Sequence, residues 1–173
     1  MRSWRLKSTS AAKVFSTKLK TGLIALLCLT LVACTPEKSP SGSWEIAAQG
    51  LYTAALSNDA HLLLVGSMNH GASLWRIEDH ERLYNWAHAQ GEFAELVAAA
   101  FSPDGTRAVT TDPRTLVLWD TQTGSALNYW ATPGAVLDVA VLNNNRQVLI
   151  GLSDHSALLF DAVAGDYLHT FLH

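Results

Sequence analysis

Cysteine is scarce in this 173-residue chain, and both copies, Cys28 and Cys34, lie in its first fifth. Beyond Cys34 no disulfide framework and no thiolate metal site can be built. Long apolar runs are missing as well. The longest extends only from Leu23 to Ala33; that is short for a helix crossing ~30 Å of hydrocarbon, but it is the length of a signal-peptide core. Acids are absent from Met1 to Ala33, a segment that carries Arg2, Arg5, Lys7, Lys13, Lys18 and Lys20. From Cys34 to His173 the chain holds only 6 of the 12 Lys and Arg against all 15 Asp and Glu, a formal net charge of −9. A surface of that sign repels phosphate, which argues against a nucleic-acid partner. No Gly-x-x-x-x-Gly-Lys loop and no Gly-x-Gly-x-x-Gly turn is present, so the usual backbone cradles for nucleotide phosphates are missing.

A basic stretch, a short apolar core and then Leu31-Val32-Ala33-Cys34 resemble the signal peptide and lipobox of bacterial lipoproteins. That resemblance implies a signal peptide over residues 1–33, cleavage before Cys34, and acylation (palmitate among the chains) of its thiol and new amino group. Several acyl chains at ~0.8 kcal/mol per buried CH₂ hold a protein to a bilayer far better than one. Thr35 follows the cysteine, where Asp commonly retains Gram-negative lipoproteins in the inner membrane. For a Gram-negative cell the expectation is therefore an outer-membrane anchor facing the periplasm. Residues 34–44 include Thr35-Pro36-Glu37-Lys38-Ser39-Pro40-Ser41-Gly42-Ser43, which is rich in Pro, Ser and Gly and reads as a flexible tether.

Beyond the tether the chain repeats itself. Leu74-Trp75, Leu118-Trp119 and Leu159-Phe160 stand at steps of forty-four and forty-one positions, each followed eleven positions later by Trp86, Trp130 or Phe171. A turn marker lies eighteen or nineteen positions upstream of each: Leu56-Ser57-Asn58-Asp59, Phe101-Ser102-Pro103-Asp104-Gly105 and Leu142-Asn143-Asn144-Asn145. Matched offsets in three copies mark a structural repeat of blade size. In the second copy, Leu96–Phe101, Arg107–Thr111, Leu116–Trp119 and Ser125–Trp130 read as four strands, separated by Ser-Pro-Asp-Gly and Asp120-Thr121-Gln122-Thr123-Gly124 turns. Four strands in ~40–45 residues make one β-propeller blade. The fold class expected is all-β, with three four-stranded antiparallel blades at about 45–88, 89–131 and 132–173.

Phe101-Ser102-Pro103-Asp104-Gly105 followed by Leu118-Trp119-Asp120 resembles the core of a WD40 repeat; Leu159-Phe160-Asp161 and Leu74-Trp75-Arg76 are weaker versions. The resemblance covers roughly positions 45–173. It departs from the family at two places. The Gly-His pair expected before the innermost strand is replaced by Gly91-Glu92, and the turn Asp expected six positions before the Trp is kept as Asp154 but becomes Asn69 and Pro113 elsewhere. The family's Asp-His-Ser-Trp hydrogen-bonded network is therefore expected to be incomplete.

Three blades fall short of the 4–8 that close a propeller. The chain is either the N-terminal part of a longer propeller, the preferred reading, or closes by association, two chains giving six blades. In either case the outer faces of the first and third blades would show apolar side chains, with Val139, Val141, Val148, Ile150, Leu158 and Phe160 the candidates in the third, and self-association through those faces is expected.

Reactive chemistry is not apparent. His61, His70, His80 and His88 are spaced by nine, ten and eight positions, unlike any metal-ligand pair on one face, so they read as solvated or hydrogen-bonded surface groups. Ser153-Asp154-His155 holds the residue types of a hydrolase triad, but neighbours on one turn cannot converge on a shared centre. Glu78, Asp79 and Glu81 match no calcium loop. No catalytic residue, cofactor or metal site is assigned. Family analogy places partners on the loops entering the innermost strand and joining the second and third strands, which here are Asn69, His70, Glu92, Phe93, Asp112, Arg114, Asp154 and His155. The reading is a non-enzymatic, membrane-anchored protein-binding scaffold. The alternative is a fragment of a propeller enzyme or cofactor-binding domain.

Overall fold

The computed structural model describes residues 40, 42–46, 50–67, 70–88, 95–142 and 144–173. The chain divides into Met1–Trp44 and a compact unit Glu45–His173, and the strands found among the described residues lie in the second. The leader, Cys34, Asn69, Glu92 and Phe93 lie outside the described residues.

Among the described residues, twelve strands form three antiparallel meanders. The first is β1 (Leu51–Leu56), β2 (Leu62–Ser67), β3 (Gly71–Arg76) and β4 (Arg82–Trp86). The second is β5 (Ala98–Phe101), β6 (Arg107–Thr111), β7 (Thr115–Asp120) and β8 (Ala126–Ala131). The third is β9 (Val136–Val141), β10 (Gln147–Leu152), β11 (Ser156–Asp161) and β12 (Asp166–Leu172). In each sheet the strands are hydrogen-bonded in chain order, and β1, β5 and β9 lie side by side as the innermost row.

The turn markers explain why the chain reverses where it does. Ser57 Oγ donates to Asp59 Oδ1 at 2.6 Å and accepts the Leu62 N–H at 2.9 Å. Ser102 repeats this with Asp104 at 2.7 Å and the Arg107 N–H at 2.9 Å. In the third sheet Asn144 Oδ1 accepts from the N–H groups of Arg146 and Gln147 at 3.1 and 2.9 Å. Short polar side chains thus hold backbone donors that a turn would otherwise leave open. Between the third and fourth strands, Asp120 Oδ1 accepts the N–H groups of Gln122 and Thr123, and Asp161 Oδ1 those of Val163 and Ala164. Gly124 (φ 72°) and Gly165 (φ 84°) close these turns in the left-handed region that glycine enters without steric cost.

Apolar alternation then buries one sheet against the next. Leu64, Leu74 and Trp86 pack with Ala108, Val117 and Trp119 between the first two sheets. Val109, Leu116 and Leu118 pack with Val148, Ile150, Leu158 and Phe160 between the second and third. Burying a side chain of this size fully is worth about 1.5–3 kcal/mol. The residues expected on the open flank of the third blade are therefore placed differently. Val139, Val148, Ile150, Leu158 and Phe160 are buried toward the second blade with Val141 packed beside them, while Leu137, Leu149, Phe171 and Leu172 are the exposed ones. Period-2 alternation fixes that two faces exist; only the twist and neighbours of each sheet fix which is which. Small register differences occur too. The fourth strand of the second blade begins at Ala126, and the innermost begins at Ala98, with Leu96 still fully buried ahead of it.

Candidate functional site

The loops joining second and third strands lie at the same end of the blades as the segments that enter the innermost strands. Hydrogen bonds stitch the two sets together. The Thr132 N–H donates to Arg114 O at 2.8 Å and the Val136 N–H to Pro113 O at 3.0 Å. The Ser153 N–H donates to Ala135 O at 2.9 Å, and the Val97 N–H to Thr111 O at 2.8 Å. His70, Arg114, Asp154 and His155 are exposed on this end. His155 adopts φ 68°, and Asp154 Oδ1 accepts the Ser156 N–H at 3.0 Å and its hydroxyl at 2.6 Å. Those bonds, the hydroxyl first, hold the Asp154 carboxyl below its ordinary range. Ser153 and His155 flank it on the same exposed turn and make no triad.

Asp112 has a different task. Its Oδ1 accepts the N–H groups of Arg114 and Thr115 at 2.7 and 2.6 Å, and its Oδ2 lies 3.3 Å from His88 Nδ1. His88 Nε2 is 2.7 Å from Thr110 Oγ1, which accepts the Trp119 Nε1–H at 2.7 Å. A neutral His88 with its proton on Nδ1 gives every donor an acceptor: Trp119 to Thr110, Thr110 to His88, His88 to Asp112. Burial pushes the His88 pKa down, and the Asp112 charge only partly opposes this, so the neutral form is the resident one at neutral pH.

The second blade therefore contains a complete Asp-His-Thr-Trp network, contrary to the expectation of a broken one, and His88 is a buried structural residue rather than a surface group. Two local length changes hide it in the sequence. The loop closing β6 to β7 runs between the paired residues Thr111 and Leu116, while the matching loops run between Ser67 and Gly71 and between Leu152 and Ser156. That extra residue puts the turn Asp seven positions before the Trp. His88 likewise stands thirteen positions before Phe101, whereas Glu92, assigned to its place, stands nine before it. The available signal was an Asp and a His near, but not at, the family offsets.

Among the described residues no cluster of three or more His, Cys, Asp or Glu is arranged to hold a metal ion. The concave regions are shallow. One, about 480 Å³, lies at the edge of the third blade and is lined by Leu152, His155, Ala157, Phe171 and Leu172 among others.

The architecture so defined is a set of WD40-type propeller blades. The chain is similar to the solved WD40 repeats of RRP9 and to the structure of U3-55K, each with a TM-score of 0.67 and 16% sequence identity over 75% of this chain. It spans only about two fifths of those structures, 40% and 41% of their lengths. No family model matches the sequence, and no curated protein matches it. At this identity the likeness establishes the fold.

Proposed function

We propose that this protein is a non-enzymatic scaffold of the bacterial cell envelope, tethered through lipidated Cys34, that binds a protein partner on the loop end of its blades. The observation supporting it most directly is the exposed row of His70, Arg114 and His155, one from the same loop of each successive blade. Asp112 braces the Arg114 loop and is itself held by His88. A polar, mixed rim on a rigid β-framework suits protein recognition, because the framework orders the loops before the partner arrives. Anchoring rests on the Leu-Val-Ala-Cys segment behind a basic, apolar leader, and Thr35 favours the outer membrane facing the periplasm in a Gram-negative cell.

Two measurements test the reading. Cys34→Ala should abolish incorporation of labelled palmitate and leave an unprocessed precursor; unchanged maturation would remove the anchor. A photo-cross-linking residue at position 114 or 155 should capture a defined protein in intact cells, while one at Gln122, on the opposite turn, should not. Equal capture at all three positions would mean that the loop end has no special role.

A further inference from the structure

The two internal blade contacts use the same positions, and both halves of that contact recur on the outer flanks, where none of the described residues forms a facing blade. On the giving side, sheet register aligns Leu64, Val109 and Leu149; Leu74, Leu118 and Leu159; and Trp86, Trp130 and Phe171. The members from the first two blades are buried, apart from the half-buried Trp130, whereas Leu149 and Phe171 are 38% and 49% exposed. On the receiving side, Trp119 takes Trp86 at 4.7 Å and Phe160 takes Trp130 at 5.9 Å between ring centroids. The equivalent of Trp119 and Phe160 in the first blade is Trp75, half-buried, with the 60% exposed Leu56 on the neighbouring inner strand. Polar donors are kept only in part, because the Trp86 and Trp130 indoles donate to Gly124 O and Ala162 O at 3.0 and 2.9 Å and Phe171 has no such group. Tyr84 and Asn128 donate across to the next blade's turn carbonyls at 2.6 and 3.2 Å, and His169 holds their position in the third blade. Arg107 donates to Asn145 O at 3.0 Å, and its counterpart Gln147 also carries N–H donors.

We propose that the open flank of the third blade docks on the open flank of the first blade of a second copy, and reciprocally, so that two chains close a six-blade ring. The size of the contacting residues favours a second copy over a generic blade. At the internal contacts the incoming aromatic lies where a Cβ would be: a Cβ on Gly124 would sit 2.4 Å from the Tyr84 ring, and one on Gly165 would sit 2.4 Å from the Trp130 ring. The first blade has His80 at that turn position, also left-handed at φ 60°, and so carries a side chain where the two glycines have none. The third blade presents the smaller Phe171 where the others present Trp, and His169, smaller than Tyr84 and larger than Asn128, at the second position. Enlarged on one flank and reduced on the other, the two ends of this chain fit each other. A head-to-tail contact of this kind either closes into a ring or runs on as a filament, and six blades fall within the range that closes.

Sedimentation of the full chain in detergent micelles tests this independently of whether Cys34 is lipidated. The expected result is a reversible dimer. Phe171→Glu should abolish it without loss of the β circular-dichroism signal, since Phe171 is half exposed in one chain. Phe171→Trp should weaken it by about tenfold or more, as a bulky anchor meeting a filled site, and adding His80→Gly to that variant should restore it. A monomer at every concentration would assign the flank to blades of another origin and overturn the proposal. So would a dimer indifferent to Phe171→Glu, concentration-dependent filaments, or a Phe171→Trp defect that His80→Gly leaves unrepaired.

Discussion

Inside the second blade a polar chain runs from Trp119 through Thr110 and His88 to Asp112, while the first and third blades carry an aliphatic side chain at the Thr110 position. Register puts Val65 and Ile150 where the second blade has Thr110. The aromatic beside them differs to match. Phe160 has no N–H to satisfy, and Trp75 donates its own to Ser73 Oγ on the same strand at 2.8 Å. A blade of this type therefore does not need the network to form its sheet; strand alternation and the turn aspartates are enough. What the network adds is order at the loop end, because its last member, Asp112, also holds the two N–H groups that shape the β6–β7 loop.

Truncating the aromatics should separate the blades most strongly. Trp119→Ala removes a ring that is 4% exposed, stacked on Trp86 and bonded to Thr110, and should cost about 3–5 kcal/mol in urea unfolding. Trp75→Ala, at a half-buried ring on an open flank, should cost less than half of that. Equal losses would mean that the flank of the first blade is as well packed as the interior.

A finer contrast separates backbone strain from packing between blades. Gly124 and Gly105 share φ 72°, but a Cβ on Gly124 meets the Tyr84 ring, whereas one on Gly105 finds nothing nearer than 3.9 Å. Gly105→Ala should cost only the left-handed penalty of about 1–2 kcal/mol. Gly124→Ala should cost about 2–4 kcal/mol, since displacement of the ring adds an overpacking term. If the two are equal in thermal or urea unfolding, Tyr84 yields freely and the contact between the first two blades is soft.

Within the second blade, Thr110→Val isolates the hydroxyl. It leaves the Trp119 N–H and His88 Nε2 buried without their partner and should destabilise by about 1–3 kcal/mol. The reverse change in the first blade, Val65→Thr, buries a hydroxyl and should not stabilise. A neutral Thr110→Val would mean that the chain of hydrogen bonds has no net worth.

How much of this was legible in advance follows from the physics of each feature. Repeats, turns and blade count are local: Ser102 with Asp104, Asp120 with Gly124 and the recurring step from Trp119 to Trp130 each act within one or two turns of chain, so spacing reveals them. The network is not local. His88 reaches Thr110 and Asp112 across 22 and 24 residues, and one loop residue more in one place and four in another shift its members off the family offsets. Which face of the third blade lies open is not legible in the sequence for a related reason. Alternation in Val148-Leu149-Ile150 says that Leu149 opposes its neighbours, but only the packed second blade shows that Leu149 is the exposed one.

The smallest expected effect is a pH dependence confined to the second blade. Burial lowers the His88 pKa below its ordinary 6.5, the Asp112 charge offsetting part of this. Between the folded and unfolded values the unfolded chain binds the extra proton, so stability rises with pH there and falls on acidification. The loss should begin as the pH drops below about 6.5 and run at no more than about 1.4 kcal/mol per pH unit until the folded pKa is passed. The carboxylates act later. Asp104, held down chiefly by the Thr106 N–H, and Asp120, held down chiefly by the Thr123 N–H, have folded values below 3.8, so their contribution is lost only at lower pH. Urea unfolding from neutrality to about pH 5 thus reads His88 ahead of those carboxylates, and His88→Gln should remove most of the slope. A slope that survives His88→Gln would place the titrating group outside the network and leave the neutral, Nδ1-protonated His88 without support.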